Sequence, residues 1–339
     1  MSPRVTLTDV AARAGLSTAA VSLILNGKTG TGLSEDAHQR VFAAALELGY
    51  RPNLMARGLR TEKSATLGFV SDHIASTRYA GPMIRGALHV ARERSHTMFI
   101  TETEGERAEQ ERAIEALLDR GVDALVIATV TGRAVLPERR PAVPVVLLNG
   151  TSPDEPYASV LPDEAEGARQ AAEHLITLGH RRVHLLGMPP QLYDHPLITP
   201  QVQRRIEGLL SAFRAAGVDV VPIPYKREAW DAETGFETAS RALRDAAPVG
   251  AVVALNDAIA AGAYEAFRSA GLEIPQDVSV VSFDDDDIVS FLRPRLSTVA
   301  LPFEAMGRRS VELALEGAAP GEYLEAMELR VRESARPVA

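Results

Sequence analysis

Three stretches of this 339-residue chain are dense enough in donors, acceptors or charge to suggest chemistry. Residues 22–29 read SLILNGKT and end like a phosphate-cradling GxxxxGK[ST] loop, with Ser22 in place of the first glycine. Such a loop needs a strand before it and a helix after it, whereas the apolar spacing here puts a helix before it, so phosphate transfer does not follow. His174, His180 and His184 crowd one segment, but His174 and His180 stand on different faces of a helix and its following turn, which suits capping better than metal ligation. Asp284, Asp285, Asp286 and Asp287 form a run of carboxylates without the alternating oxygens and glycine turn of a calcium loop, and acidic runs are usually solvated. There is no GxSxG or HExxH segment, and the absence of cysteine removes thiol catalysis, disulfides and thiolate-bound metals. The chain therefore reads as a binding protein and not an enzyme, with no cofactor expected.

The stretch with the clearest purpose is residues 6–26, TLTDVAARAGLSTAAVSLILN. Thr6 supplies a hydroxyl cap, Asp9 follows three residues later where its charge suits the helix dipole, and Val10, Ala11 and Ala14 give a small apolar face. Gly15 stops this helix. Ser17 caps a second one over residues 18–25, with Val21, Ile24 and Leu25 inward. Two helices joined by a short turn containing glycine form a helix-turn-helix, whose second helix enters a major groove. After a glycine-rich loop, Ser34, Glu35 and Asp36 open a third helix with Val41, Ala44, Ala45 and Leu48 inward, closed by Gly49. Pro52 then blocks continuation, Asn53 caps a new start, and residues 54–60 make barely two turns with Gly58 inside, a helix too weak to form without a partner.

Beyond Lys63 the pattern becomes strands alternating with helices. Apolar, β-rich runs occupy 66–70, 97–101, 124–128 and 145–148, then 183–186, 218–223, 251–255 and 278–283, and helical stretches separate most of them. The fold class is α/β: a helix-turn-helix headpiece followed by two doubly wound parallel-sheet lobes. A ligand would bind at the strand C-terminal ends, in the cleft between lobes.

The net charge of −9 divides unevenly. Residues 1–63 hold eight Lys or Arg against five Asp or Glu, a net of +3, leaving −12 for the remainder. Attraction to nucleic-acid phosphate is thus local and modest, and useful affinity requires dimerisation. No apolar run reaches the length of a membrane span and the first residues lack a secretory pattern, so a cytoplasmic location without membrane partners is expected.

Taken together, DVAxxAGxSxxxVSxxLN at 9–26, LGY at 48–50 and RPNxxARxL at 51–59 resemble the lactose-repressor (LacI/GalR) family of bacterial transcription regulators. Further likenesses run through HLITLGHRRVHLLG at 174–187, RRIEGL at 204–209, ALNDAIAAGAY at 254–264, PQDVSVVSFDD at 275–285 and LSTVALPFEAMG at 296–307. The resemblance implies a headpiece at 1–50, a hinge helix and linker at 51–63, and a core like the periplasmic sugar-binding proteins. Its N-terminal lobe would comprise 64–162 plus 300–320, and its C-terminal lobe 163–299 plus 321–339. It further implies that Thr18, Ala19 and Leu23 face bases, and that Leu59 wedges into the central minor-groove step of a pseudo-palindromic operator. Thr6, Ser17, Ser22, Asn26, Asn53 and Arg57 complete the expected DNA-binding set, largely through phosphates. Leu23 stands where the family often has Arg, which leaves methyl contacts and the Thr18 hydroxyl for direct readout and shifts specificity toward DNA deformability.

For a small-molecule effector, the matching positions are Arg78, Tyr79, Arg205, Trp230, Asn256 and Asp284. An indole face over ring C–H groups, with Arg, Asn and Asp serving hydroxyls, suits a sugar or sugar derivative. Without a leucine heptad after the core, a homodimer is expected and not a tetramer. A sugar-binding transport component and a sugar-metabolising enzyme share the core fold; the first has no use for residues 1–60, and the second would show a catalytic pair.

Overall fold

The computed structural model describes residues 5–26, 32–50, 63–73, 79–130, 136, 140–152, 156–189, 199–225, 229–245 and 248–338. Asn53, Arg57, Leu59 and Arg78 lie outside the described residues. Two compact units divide the chain, residues 1–64 and 65–339.

In the first unit, α1 (Leu7–Ala14), α2 (Thr18–Leu25) and α3 (Glu35–Glu47) follow local chemistry closely. The Thr6 hydroxyl accepts from the Asp9 N–H at 3.3 Å, and Asp9 Oδ2 accepts in return from the Thr6 N–H at 2.8 Å, a complete capping box. The Thr6 hydroxyl also donates to Asp9 Oδ2 at 2.7 Å, and this bond, followed by that from the Thr6 N–H, holds the Asp9 carboxyl below its ordinary pKa. Gly15 ends α1 at φ 66°, where a side chain would be strained, and Arg40 of α3 donates to the freed Ala14 carbonyl at 3.1 Å. Val10, Ala11, Ala14, Val21, Ile24 and Val41 form the centre of a core made mostly of small side chains. Such a core offers little apolar area, so this unit is marginal alone.

The second unit contains two lobes. The first holds β1 (Thr66–Ser71), α4 (Ala80–Glu93), β2 (Thr97–Glu102), α5 (Arg107–Asp119), β3 (Ala124–Ala128), β4 (Val145–Leu148) and β5 (Ala158–Pro162). The chain then crosses to α6 (Glu164–Thr177), β6 (Arg182–Met188), α7 (Pro200–Ala215), β7 (Asp219–Pro224), α8 (Ala232–Asp245), β8 (Ala251–Ala254), α9 (Asp257–Ser269), β9 (Ser279–Asp284) and β10 (Ser297–Ala300). It returns through α10 (Phe303–Glu316) and β11 (Gly321–Glu325), and crosses a third time to β12 (Glu328–Arg330). The sheet orders are β2-β1-β3-β4-β5-β11 and β7-β6-β8-β9-β10-β12. Among the described residues all strand pairings are parallel except that of β10 with β12.

One boundary moves. Residues 321–325 were expected in the C-terminal lobe, yet β11 pairs in parallel with β5, Tyr323 opposite Val160, and so extends the N-terminal sheet. The lobe changes after Glu325, not at 320, because the β5 edge offers unpaired backbone groups that the next extended segment satisfies. Strands β3 and β8 are buried along their whole length, as parallel strands covered on both faces must be. In each lobe one helix pair meets at glycines. A Cβ on Gly86 of α4 would collide with the Glu304 carbonyl of α10, and one on Gly262 of α9 with the Ala232 carbonyl of α8.

Candidate functional site

The C-terminal ends of both sheets face a cavity of about 340 Å³. Of the six expected ligand-site residues, Tyr79, Arg205, Trp230, Asn256 and Asp284 all line it. Arg78 lies outside the described residues.

Arg205 is the anchor. It projects from α7, which Thr199 caps by accepting from the Val202 N–H at 3.2 Å ahead of Pro200. Far from forming a surface salt bridge, its side chain is only 3% exposed. Its Nε and Nη2 donate to the two Glu164 oxygens at 2.7 Å each, Nη1 donates to the Leu255 carbonyl at 2.7 Å, and Nη1 stands 3.5 Å from Asp284 Oδ1. Burial opposes the guanidinium charge, but the Glu164 carboxylate more than offsets it and holds the arginine pKa above its ordinary value. The other face of the guanidinium lies 4.5 Å from the centroid of the Phe283 ring.

Asp284 ends β9 at φ 113°, a strained backbone for a residue with a Cβ, and strain of this kind gathers at sites that bind. Its Oδ2 accepts from the Tyr79 hydroxyl at 3.2 Å, a bond between lobes. Its carbonyl accepts from the Leu301 N–H at 3.1 Å, where the chain crosses back. The rest of the acidic run is less solvated than its composition suggests. Asp285 pairs with Arg332 at 2.6 Å and Arg330 at 3.1 Å, Asp286 caps the short 3-10 turn over Asp287–Ser290, and of the four only Asp287 is exposed. Behind them Asp257 is fully buried, accepting from Ser282, from Thr298 at 2.8 Å and from the Asp286 N–H at 2.8 Å. Burial, and next the Asp284 charge, push its pKa up.

Trp230 is partly buried against the C-terminal lobe core, and its Nε1 has no hydrogen-bond partner. Asn256 caps α9, accepting from the Ile259 N–H at 2.8 Å, and donates to the Trp230 carbonyl at 3.1 Å. The N-terminal lobe adds Asn149 and Phe303, whose ring packs 5.4 Å from that of Tyr79. Glu164 and Gln201 were not anticipated. Gln201 stands four residues before Arg205 on one helix face, a spacing visible in the sequence, whereas nothing in the sequence marks Glu164 as the partner of Arg205. His180 is buried against Ser279 Oγ at 3.1 Å and the Arg336 carbonyl at 3.2 Å.

In the headpiece, α1 and α2 are bent by 103° about the Gly15 turn. The Ser17 hydroxyl accepts from the Ala20 N–H at 3.2 Å, so one lone pair is committed to the cap. Thr18 and Ala19 are exposed on the first turn, and Ser22 and Leu23 are partly buried. Asn26 donates back to the Ser22 carbonyl at 2.6 Å. Helix α2 carries no charged or amide side chain from Thr18 to Leu25.

Residues 6–53 match the family of bacterial regulatory proteins called lacI, and residues 172–335 match the periplasmic binding protein-like domain. The chain is 32% identical to the HTH-type transcriptional regulator GalS of Salmonella typhimurium, over 93% of this chain and 90% of that protein. It is 29% identical to the ribose operon repressor of Escherichia coli, over 91% and 92%. A lac repressor dimer bound to operator and the anti-inducer ONPF superposes with a TM-score of 0.75 at 25% identity, covering 98% of this chain and 100% of that one. A CelR–cellobiose complex does so with 0.65 at 27%, again over 98% and 100%. From its headpiece through its two-lobed core, the chain belongs to the lacI family of bacterial regulatory proteins and is a DNA-binding transcriptional regulator.

Proposed function

We propose that this regulator is a repressor that holds a pseudo-palindromic operator as a homodimer and releases it when a sugar or sugar derivative enters the cleft. The observation that carries the reading is the position of Asp284, which faces the cavity, accepts from Tyr79 of the opposite lobe and anchors the crossover at Leu301. A ligand that engages Asp284 competes with the bond between lobes and shifts the lobe angle, acting through its differential affinity for the two arrangements. Relatives named for ribose and a similar structure holding cellobiose favour the sugar class. In this reading Thr18, Ala19 and Leu23 face bases, Thr6, Ser17, Ser22, Asn26, Asn53 and Arg57 serve the phosphate backbone, and Leu59 is the minor-groove wedge. The edge strand β2 exposes Phe99 and Ile100, each 40% accessible, as an apolar edge for a second copy to cover. The protein works in the cytoplasm without turnover.

The test is anisotropy on an operator selected from random DNA, with and without sugars. Wild type releases DNA on addition of one of them. Asp284→Ala raises the ligand midpoint more than tenfold, as expected for the loss of about 1.5–3 kcal/mol of hydrogen bonding to a charged group. An unchanged midpoint in Asp284→Ala moves the effector site elsewhere.

A further inference from the structure

The charges around the cavity narrow the ligand class, on the reading that the cavity is the effector site. Among the described lining residues Arg205 is the one cation, and it is spent. Glu164 takes it in two 2.7 Å bonds, Leu255 takes a third, and Asp284 stands 3.5 Å away. Glu164, Arg205 and Asp284, with side chains 2%, 3% and 6% exposed, together leave the described lining net negative. An anion entering here meets two fixed carboxylates. Turning Arg205 toward it would strand Glu164 as a buried, unpaired charge, which costs more than the new contact returns.

The lining groups left unsatisfied are neutral. Gln201 is 4% exposed, and neither its amide nitrogen nor its amide oxygen has a partner. Trp230 Nε1 has none either. Asn256, by contrast, is used at both amide atoms. A buried polar atom without a partner costs free energy that a fitting ligand recovers, and whichever way the Gln201 amide is turned it offers one donor group and one acceptor. Hydroxyl groups do both, which a phosphate dianion cannot.

We infer that the cleft takes an uncharged polyhydroxylated ligand and rejects its phosphate ester, with Gln201 as a specificity-determining contact. Discrimination comes from what is already paired, since among the described lining residues the fixed Glu164–Arg205 unit leaves no positive charge to offer.

The test uses the full-length protein, calorimetry, and the fluorescence of its one tryptophan. Probes come in pairs: D-ribose with ribose 5-phosphate, D-galactose with galactose 1-phosphate, and cellobiose with its phosphate ester, plus inorganic phosphate alone. At least one neutral sugar saturates, its ester binds about a hundredfold more weakly, and inorganic phosphate gives no saturable response. Gln201→Leu weakens the neutral sugar about tenfold, while Gln201→Lys narrows the gap between sugar and ester by adding a cation. Preferential binding of an ester, or a Gln201→Leu protein with wild-type affinity, overturns the inference. If that ester binding is lost in Trp230→Ala, the cleft remains the effector site and only the charge rule falls. Binding indifferent to both Trp230→Ala and Gln201→Leu, or silence from every probe, removes the sugar-binding cleft itself and the inference with it.

Discussion

The two lobes repeat one strand order but fill it differently. The third residue of the first strand of each lobe, one in from the sheet edge, is Gly68 in β1 and His184 in β6. A Cβ at Gly68 would come 2.5 Å from Leu125 Cδ2 and 2.9 Å from Leu117 Cδ1, so leucines already occupy that space. In the other lobe a fully buried imidazole fills it. The cleft shows the same division. The C-terminal lobe supplies Glu164, Gln201, Arg205, Trp230, Asn256 and Asp284, and the N-terminal lobe answers with Tyr79, Asn149 and Phe303. One topology therefore yields a polar, charge-fixing half and, facing it across the cavity, a half with aromatic rings and few polar groups.

The largest test of that division is Arg205→Leu. It leaves Glu164 buried without its partner and should cost about 3–5 kcal/mol in urea unfolding. Replacing both residues, Glu164→Leu with Arg205→Leu, should recover most of the loss, because no buried charge then remains. A single-variant loss under about 1 kcal/mol would mean the pair does not hold the binding half together.

Next come the glycines, where the lobes are alike. Gly307→Ala presses a methyl group on the Met83 carbonyl, and Gly262→Ala presses one on that of Ala232. Backbone cannot step aside as a side-chain end can, so each change should cost about 1–3 kcal/mol or more and lower the melting temperature by about 2–4 °C for each kcal/mol. A loss confined to one lobe would show that the helix pairs are not equivalent devices.

What the sequence reveals and what it hides follow the range of the interactions. The Thr6–Asp9 box, the Gly15 stop and the Ser17 cap are decided within a few residues, and each is formed as its spacing implies. Strand β3, ALVIA, announces burial on both faces by composition alone. Strand β11, GEYLE, does not announce its sheet, because membership is settled by the free edge of β5 some 160 residues earlier. Glu164 is a similar case: 41 residues separate it from Arg205, and a carboxylate at the start of a helix ordinarily reads as dipole complementation at the surface. The fourfold acidic run misleads in the opposite sense, since its solvated composition gives no sign of Arg330 and Arg332 arriving from the far end of the chain.

A smaller effect separates the lobes by pH. Burial lowers the pKa of His184, His174 and His180, all in the C-terminal lobe. For His184 neither ring nitrogen is paired, and the Ala251 backbone comes near without meeting hydrogen-bond geometry. A depressed histidine pKa means that the unfolded chain takes up protons first. Stability is then complete above the unfolded value near pH 6.5 and is lost as pH falls through the folded one. His184→Leu should flatten the decline in melting temperature between about pH 7.5 and about pH 5.5. An unchanged slope would assign the acid sensitivity to His174 and His180.

The smallest expected effect lies at the seam. Tyr79→Phe removes the hydroxyl that donates to Asp284 at 3.2 Å, a length near the weak end for such a bond, and leaves the ring on Phe303 at 5.4 Å. If the N-terminal lobe closes chiefly through its rings, the loss is chiefly that of the hydrogen bond to a carboxylate that Arg205 still attends. Unfolding stability should fall by about 1 kcal/mol or less. If, as proposed, Tyr79 competes with the ligand for Asp284, removing its hydroxyl should lower the ligand midpoint for operator release about two- to fivefold. Anisotropy titrations of wild type and Tyr79→Phe in parallel decide the sign. A midpoint that rises instead, by tenfold or more, would make Tyr79 a polar partner of the ligand and would place part of the recognition in the half assigned here to closure.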